Sequence, residues 1–393
     1  MLTAQRENPL VIHEMKLRDT TLAGGTVRSA RTEPADTEAE LCVGDLVEVR
    51  SKDEILRTLD KDGRLDGMPF MPEMFAFAGK RFHVYKRAHK TCDTVNDYKG
   101  RKLSDSVHIK ETRCDGCAHG GCEAGCLIFW KTAWLRRVSE ADGQSPRADD
   151  RASRTEDRTG QACTEADVLA ATMRPDAPGA DGPTYVCQAT LLPAFTEPLP
   201  AWELSQYVED YKSGNTKLGR MVSSFLFMGY HHWLVNLGIG VGPVLRRLYD
   251  LFQRVWGGTP YPRQIGKLPA GSRTPTVALN LQPGEWVRVK SRDEILATCD
   301  AGLANRGMKF DAEMVPYCGG VYRVHRRVNK IVNEKTGVMQ QMKTPSILLD
   351  SVVCQARYAD CRLFCPRAVY TYWREIWLER AEPLVPTQKE CDI

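Results

Sequence analysis

Two short stretches of the sequence each contain three closely spaced cysteines. The first triad, in ETRCDGCAHGGCEAGCLIFW, consists of Cys114, Cys122 and Cys126. The second triad, in SVVCQARYADCRLFCPRAVY, consists of Cys354, Cys361 and Cys365. In each triad the last two cysteines are four residues apart, so they can lie on one face of a helical turn and point to a common centre. This clustering is typical of a metal or cluster site.

The spacing favours an iron–sulfur cluster over zinc. Structural zinc sites usually have two C-x2-C knuckles, and neither triad shows a second one. Iron–sulfur clusters accept looser spacings, and Cys365-Pro366 is similar to the Cys-Pro that ends the bacterial ferredoxin motif. We therefore predict one or two iron–sulfur clusters, most simply [4Fe-4S]. Zinc is the alternative, and a set of redox or structural thiols is a third interpretation.

A cluster held by three cysteines leaves one iron for a further ligand or for a substrate. The candidate fourth ligands are Cys117 and His119 in the first stretch, with Cys187 and Cys318 from elsewhere. Cys187 is distinguished by its context, because Val-Cys-Gln-Ala at 186–189 repeats the same four residues at 353–356. His119 lies inside the cysteine loop, and we predict that it is the catalytic residue, as a proton donor or as a ligand.

The elements that carry the triads are repeated along the chain. Residues 44–92 and 284–332 are related by a shift of 240 positions, and about nineteen of the forty-nine aligned positions are identical without a gap. Each copy reads as a strand, a short helix that begins after Ser51 or Ser291, and a second strand of alternating basic and apolar residues. A third strand is expected near 105–107 and 350–352.

These patterns predict an α+β protein. It consists of two duplicated small β-barrel modules of SH3-like type, with short helices, joined by a mainly helical middle region. The expected boundaries are 40–137 for the first module with its Cys triad, 138–182 for a polar flexible linker, 183–275 for the helical region, and 276–380 for the second module.

The middle region contains an unusually apolar segment. Residues 221–245 include no Asp, Glu, Lys or Arg. This uncharged segment is long enough for a membrane span. Four glycines and several polar side chains argue against a span. We predict either a buried helical hairpin that turns near 238–242 or an interfacial helix, so peripheral membrane contact through 221–256 is a second expectation.

Composition excludes some function classes. The 54 basic and 50 acidic residues nearly balance, which argues against a protein that binds polyanions by bulk charge, so nucleic acid is an unlikely partner. The N-terminus lacks a secretory pattern, so we expect a cytoplasmic protein with reduced cysteines. The partner is then a small-molecule substrate or a protein.

The predicted function follows from the cysteines. An iron–sulfur enzyme would perform Lewis-acid chemistry as a lyase, or transfer sulfur, in a specialised biosynthetic route. The rival hypothesis is a zinc-stabilised binding or scaffold protein built on the tandem barrels. Nucleic-acid binding through the basic strands is a weaker third hypothesis.

Overall fold

The alternating apolar and charged residues of the two repeats form two curled antiparallel sheets. The computed structural model describes residues 40–96, 99–138, 163–174, 182–238 and 240–383, and from Leu41 onward these belong to one compact unit. Most of the predicted linker at 138–182 lies outside the described residues, as does Cys391. The two half-barrel sheets confirm the α+β class with two β modules.

The first module contains nine strands and one α-helix. In chain order these are β1 (Leu46–Val49), α1 (Lys52–Leu56), β2 (Arg64–Leu65), β3 (Met68–Pro69), β4 (Arg81–Arg87), β5 (Lys90–Cys92), β6 (Gly100–Lys102), β7 (Ser106–Arg113), β8 (Leu127–Lys131) and β9 (Leu135–Arg137). The main sheet has the order β8-β7-β4-β1-β9, and β5 and β6 form a separate hairpin. Val47 and Val49 of β1 are fully buried, as the alternation predicts.

The described parts of the linker and the middle region together contain four α-helices and three short strands. They are α2 (Glu165–Ala170), β10 (Met173–Arg174), β11 (Thr184–Tyr185), β12 (Glu197–Pro198), α3 (Ser205–Lys212), α4 (Leu218–Gly229) and α5 (Gly242–Trp256), with a π-helical turn at Tyr230–Val235 after α4. Strand β12 pairs with β6 of the first module. The α4–α5 pair is the expected helical hairpin, but many of its large apolar side chains are exposed rather than buried. None of the described helices is long and apolar enough to cross a membrane.

The second module has a four-stranded main sheet and one α-helix. Its elements are β13 (Trp286–Val289), α6 (Arg292–Leu296), β14 (Ala304–Asn305), β15 (Met308–Lys309), β16 (Val321–Val332), β17 (Met339–Leu349) and β18 (Leu378–Arg380). Leu46 of β1 pairs with His83 of β4, and Trp286 of β13 pairs with Arg323 of β16. Both residues of the second pair lie 240 positions after those of the first, which is the shift between the two sequence repeats. The expected strand near 350–352 ends at Leu349 instead.

Local contacts agree between the modules as well. Ser51 and Ser291 each form a capping box with the glutamate three residues later, which fixes the start of α1 and α6. In the first core, Trp134 Nε1 donates to Thr58 Oγ1 at 3.0 Å. In the second core, Trp377 Nε1 donates to Thr298 Oγ1 at 2.9 Å. Each module therefore has its own tryptophan-centred core.

Each module also extends a β-arm into the other. The first arm is the β5–β6 hairpin, and the second arm is the outer part of the β16–β17 hairpin, residues 329–341. The second arm reaches the first cysteine loop, where Glu123 N donates to Lys330 O at 3.1 Å. The first arm reaches the second triad, where Arg367 Nη1 donates to Cys92 O at 3.3 Å. The exchange brings both cysteine regions to the boundary between the modules.

Candidate metal centre

Four cysteines line one cavity of about 40 Å³ in the first module. They are Cys114, Cys122, Cys126 and Cys187. The first three are the first triad, and the fourth is the residue distinguished by the repeated Val-Cys-Gln-Ala. His119 and Arg367 also line this cavity. The structure thus places together the first triad, one of its predicted fourth ligands, and the histidine of the loop.

The ends of two neighbouring strands position the first triad. Cys114 directly follows β7 and Cys126 directly precedes β8, and Cys114 N donates to Cys126 O at 2.9 Å. The intervening loop turns sharply at Gly116, which has φ +78°. A Cβ there would lie 2.0 Å from Cys122 O, so only glycine fits. The tight loop folds Cys122 back toward the strand ends.

The second arm contacts the first triad directly. Val332 N, at the end of β16, donates to Cys122 Sγ at 3.3 Å. On the same arm, Lys330 Nζ donates to Gly120 O at 2.8 Å and Lys330 N donates to Glu123 Oε2 at 3.1 Å. Backbone N–H groups on cysteine sulfur are a recurrent feature of thiolate–metal sites, because they stabilise negative charge on sulfur.

Gln188 fixes the segment that carries Cys187. Its Oε1 accepts from Phe129 N at 2.9 Å, and its Nε2 donates to Phe129 O at 2.9 Å and to Pro69 O at 3.2 Å. The side-chain amide therefore pairs with β8 as a neighbouring strand would. Sequence reasoning used Gln188 only as context for Cys187, whereas the structure shows that it anchors that cysteine beside the triad.

His119 links the cysteine loop to the same segment. Its Nε2 lies 3.0 Å from Val186 O, and its Nδ1 lies 2.7 Å from Glu73 Oε1. Because a carbonyl only accepts, Nε2 carries a proton. Burial would raise the pKa of Glu73, but the hydrogen bond and charge of His119 outweigh it and lower that pKa. Both ring nitrogens are therefore occupied, which suits a positioning role.

Glu73, Cys114 and His119 form a compact group. Their ligand-type atoms all lie within 4.8 Å of one another, a spacing that could hold a metal ion. Cys114 Sγ is 3.9 Å from Glu73 Oε1, and Ala118 N donates to that oxygen at 3.0 Å. Glu73 was not among the predicted site residues. Its presence in both repeats, as the Glu-Met pair at 73 and 313, was the available signal.

Three of the four cavity cysteines, Cys114, Cys126 and Cys187, are half-buried and hold their thiol protons tightly. Burial raises the pKa of Cys126 to about 12 and that of Cys187 to about 11. Burial also raises the pKa of Cys114, and the neighbouring charge of Glu73 adds to the effect. These thiols are neutral without a cation, so metal binding must displace protons from them.

Cys117 does not share this environment. Its side chain is exposed, and its backbone N donates to Asp115 Oδ1 at 2.9 Å. Cys318 lies in the second module, where it lines a different cavity with Arg292 and Tyr249. The structure therefore separates two of the predicted ligands from the four-cysteine cavity.

The second triad is divided in the structure. Cys354 and Cys365 pack together with Ala356, whereas Cys361 is exposed. The third cysteine of this cluster is Cys92 from the first arm. A hydrogen bond with Cys365, aided by the charges of Arg367 and Arg362, lowers the pKa of Cys92. The sequence gives Cys92 no cysteine partner in the repeat, because the matching position is Val332.

A buried glutamate supports the loop of the second triad as well. Tyr358 N donates to Glu313 Oε1, which repeats the contact of Ala118 N with Glu73. The position equivalent to His119 is Ala359, so Glu313 has no histidine beside it. Burial accordingly raises the pKa of Glu313. The two loops therefore share a backbone N–H bonded to a glutamate, but the glutamate has a neighbouring histidine in the first loop and an alanine in the second.

Comparisons with protein-family models, with curated proteins and with solved structures found no match to this chain.

Proposed function

We propose that the protein is an iron–sulfur protein whose first cluster, [4Fe-4S], is held by Cys114, Cys122, Cys126 and Cys187. The observation that carries this proposal is the single cavity lined by these four cysteines. Three of them belong to one loop and the fourth comes from a segment some sixty residues later. Four thiolates are the usual complete ligand set of such a cluster.

A cluster and a single zinc ion place different demands on the four cysteine sulfurs. A tetrahedral zinc ion with Zn–S bonds of about 2.3 Å holds its sulfurs roughly 3.8 Å apart. The compact group of ligand-type atoms in the described part of the chain, Glu73, Cys114 and His119, contains a single cysteine sulfur. A cluster binds each thiolate to a different iron, so its ligands are farther apart than those of one ion.

The surroundings also suit a cluster with negative charge. Val332 N donates to Cys122 Sγ, and the buried guanidinium of Arg367 lines the cavity. The other lining residues are mainly apolar, including Met71, Leu127 and Ile128. Apolar walls exclude water, while one N–H and one cation offset the charge of the thiolates.

Within this proposal, His119 positions ligands. It holds the Cys187 segment through Val186 O and the cysteine loop through Glu73. When bound, a four-thiolate cluster supplies electron transfer or structural stability. The Lewis-acid or sulfur-transfer activity expected from the sequence requires an iron without a cysteine ligand, which the first site does not offer.

The proposal also includes an SH3-like fold for the two modules and a cytoplasmic location. We infer that the two sheets are SH3-like copies of one duplicated module, because pairing registers, capping boxes and tryptophan–threonine bonds recur at equivalent positions. A cytoplasmic location is consistent with the described cysteines, which form no disulfide.

Anaerobic purification tests the proposal. The protein should be brown and contain iron and acid-labile sulfide. It should absorb broadly near roughly 400 nm, where charge transfer between thiolate and iron is expected. Cys122→Ser should lose the cluster of this site. Cys299→Ser, a buried cysteine in the second core, is the matched control and should retain it. A colourless protein with stoichiometric zinc would instead support the zinc-stabilised scaffold.

A further inference from the structure

A second cluster of thiols lies at the boundary between the modules. Cys92 and Cys365 are buried, and Cys354 packs against them. They come from both modules, because Cys92 ends the first arm and the other two belong to the second triad. Buried cysteines are common as small apolar residues, but three in mutual contact form a set of metal-type ligands.

The exchanged arms give this cluster its place. Cys92 and Val332 are equivalent in the repeat, and each ends an arm strand that reaches the cysteines of the other module. At the first site Val332 provides an N–H to Cys122. At the second site the equivalent residue provides a thiol side chain. One topological device thus completes two cysteine sites in different ways.

Two arginines set the charge at the second cluster. Arg367 is buried, and it donates to Cys92 O at 3.3 Å and to Thr94 Oγ1 at 2.5 Å. Arg362 lies near the same thiols and donates to Asp311 at 3.4 Å. A buried guanidinium is stable only beside negative charge, and Arg367 has one carboxylate partner, Glu334 at 3.4 Å. Thiolates bound to a cluster would supply more negative charge.

We propose that Cys92, Cys354 and Cys365 hold a second iron–sulfur cluster, separated from the first by Arg367. This rests on the proposed iron–sulfur function and extends it to a site shared between the modules. Cys92 replaces the exposed Cys361 as the third ligand. Three thiolates would leave one iron of this second cluster without a cysteine ligand.

Iron and sulfide analysis of the full chain tests this directly. Wild-type protein should contain twice as much iron as Cys122→Ser and twice as much as Cys92→Ser. Cys361→Ser and the core control Cys299→Ser should match the wild type. The reduced wild type should show magnetic interaction between neighbouring clusters in its EPR spectrum, and Cys92→Ser should lose that interaction.

The outcomes separate this inference from the proposed function. Full iron content in a folded Cys92→Ser, or halved iron in Cys361→Ser, would overturn the second site while leaving the first intact. A wild type without iron would overturn both. Cys365→Ser provides a second variant, and circular dichroism at matched concentration shows whether each variant has folded.

An independent observation concerns the surface of the α4–α5 hairpin. Most of the exposed large apolar side chains in the described residues fall between 202 and 256. On α5 the exposed set follows helical spacing, so it forms one continuous stripe. It consists of Val244, Leu248, Leu251, Phe252, Val255 and Trp256. An apolar face of this extent indicates a binding surface.

Charge and aromatic content indicate what covers this face. The α4–α5 hairpin, residues 218–256, contains four basic residues and one acidic residue, Asp250, which pairs with Arg292. Trp233 and Trp256 on this hairpin are 76% and 74% exposed. Tryptophan is enriched at membrane–water interfaces, and basic residues beside an apolar stripe attract anionic headgroups. A protein partner would not require this combination.

We infer that the α4–α5 face binds the surface of an anionic phospholipid bilayer, with α5 lying in the interface. Vesicles of phosphatidylcholine with phosphatidylglycerol are the probe, and pure phosphatidylcholine is the lipid control. The full chain should float with the anionic vesicles, and Leu251→Asp should weaken binding at least tenfold. Leu169→Asp, at a similarly exposed leucine on α2, should bind as the wild type does.

Two results would overturn the membrane inference. One is the absence of flotation with anionic vesicles. The other is a dimer in light scattering that Leu251→Asp converts to a monomer, because the face would then be covered by a second copy of the chain. Iron content does not enter this test, so it stands apart from the cluster proposals.

Discussion

Glu73 and Glu313 occupy equivalent places but should respond oppositely to pH. Each accepts a hydrogen bond from the backbone N four residues after the first cysteine of its triad. His119 lies beside Glu73, and its hydrogen bond and charge outweigh burial, so the pKa of Glu73 is lowered. Ala359 stands at the matching place beside Glu313, where burial raises the pKa.

The direction of each shift fixes the sign of the effect. A lowered pKa means that Glu73 contributes stability above its unfolded pKa of about 4.5, and this contribution is lost as pH falls through the folded pKa. A raised pKa means that the contribution of Glu313 is fully present below about 4.5 and is lost as pH rises through its folded pKa. The loss in that window has a slope of about 1.4 kcal/mol per pH unit.

The two glutamine variants should therefore differ in size and in pH dependence. Glu73→Gln removes a charge-assisted hydrogen bond and should lower the free energy of unfolding at pH 7 by about 1.5–3 kcal/mol. For a chain of this size that lowers Tm by roughly 3–6 °C. Glu313→Gln removes an ionisation that opposes folding, so its stability relative to the wild type should rise with pH above about 4.5.

Urea unfolding followed by circular dichroism between about pH 3 and pH 8 measures both effects, because the Glu73 contribution is lost below about 4.5 and that of Glu313 above it. The protein is treated with chelator under reducing conditions, so that bound metal does not contribute. Parallel pH profiles for the two variants would refute the reasoning, because they would mean that His119 does not set the charge state of Glu73. An unchanged stability of Glu73→Gln at pH 7 would have the same meaning.

Three further changes test local contacts by the same unfolding measurement. Gln188→Leu should lower the free energy of unfolding by about 2–4 kcal/mol, because the N–H and C=O of Phe129 both lose a buried partner. A smaller loss would mean that the side-chain amide does not hold this segment. Ser291→Ala should cost about 1 kcal/mol by removing the cap of α6, and a neutral result would argue against the capping box. Gly79→Ala should lower the free energy of unfolding by roughly 1–2 kcal/mol, because Gly79 has a positive φ but open space around it. Gly116→Ala should lower it several times as much, because its Cβ would meet Cys122 O. Equal losses would contradict the tight loop.

The sequence was informative wherever the structure depends on local pattern. The repeat placed β1, α1 and β4 in both modules, because strand alternation and N-caps are read from neighbouring residues. Cys187 could be singled out because a copied tetrapeptide marked it. These features need no knowledge of distant contacts.

Long-range packing set the limit of prediction. Cys92 reaches the second triad only because the arms exchange, and its repeat partner, Val332, gives no hint of a ligand. The apolar stripe of α5 was visible, but its period is the same whether it faces a core or solvent. Of the two alternatives predicted for this region, the buried hairpin does not account for the exposed apolar side chains of α4 and α5.

The exchanged arms also impose an order on biosynthesis. Cys126 is made roughly 200 residues before Val332, and a ribosome adding 5–20 residues per second needs roughly 10–40 s to cover that distance. Throughout that interval the first cysteine loop lacks the N–H that bonds to Cys122, and Cys92 waits for the thiols of the second triad. If the proposed cluster is bound, its insertion should therefore follow synthesis of the second arm, and a chain truncated before that arm should leave the ribosome without the N–H that bonds to Cys122.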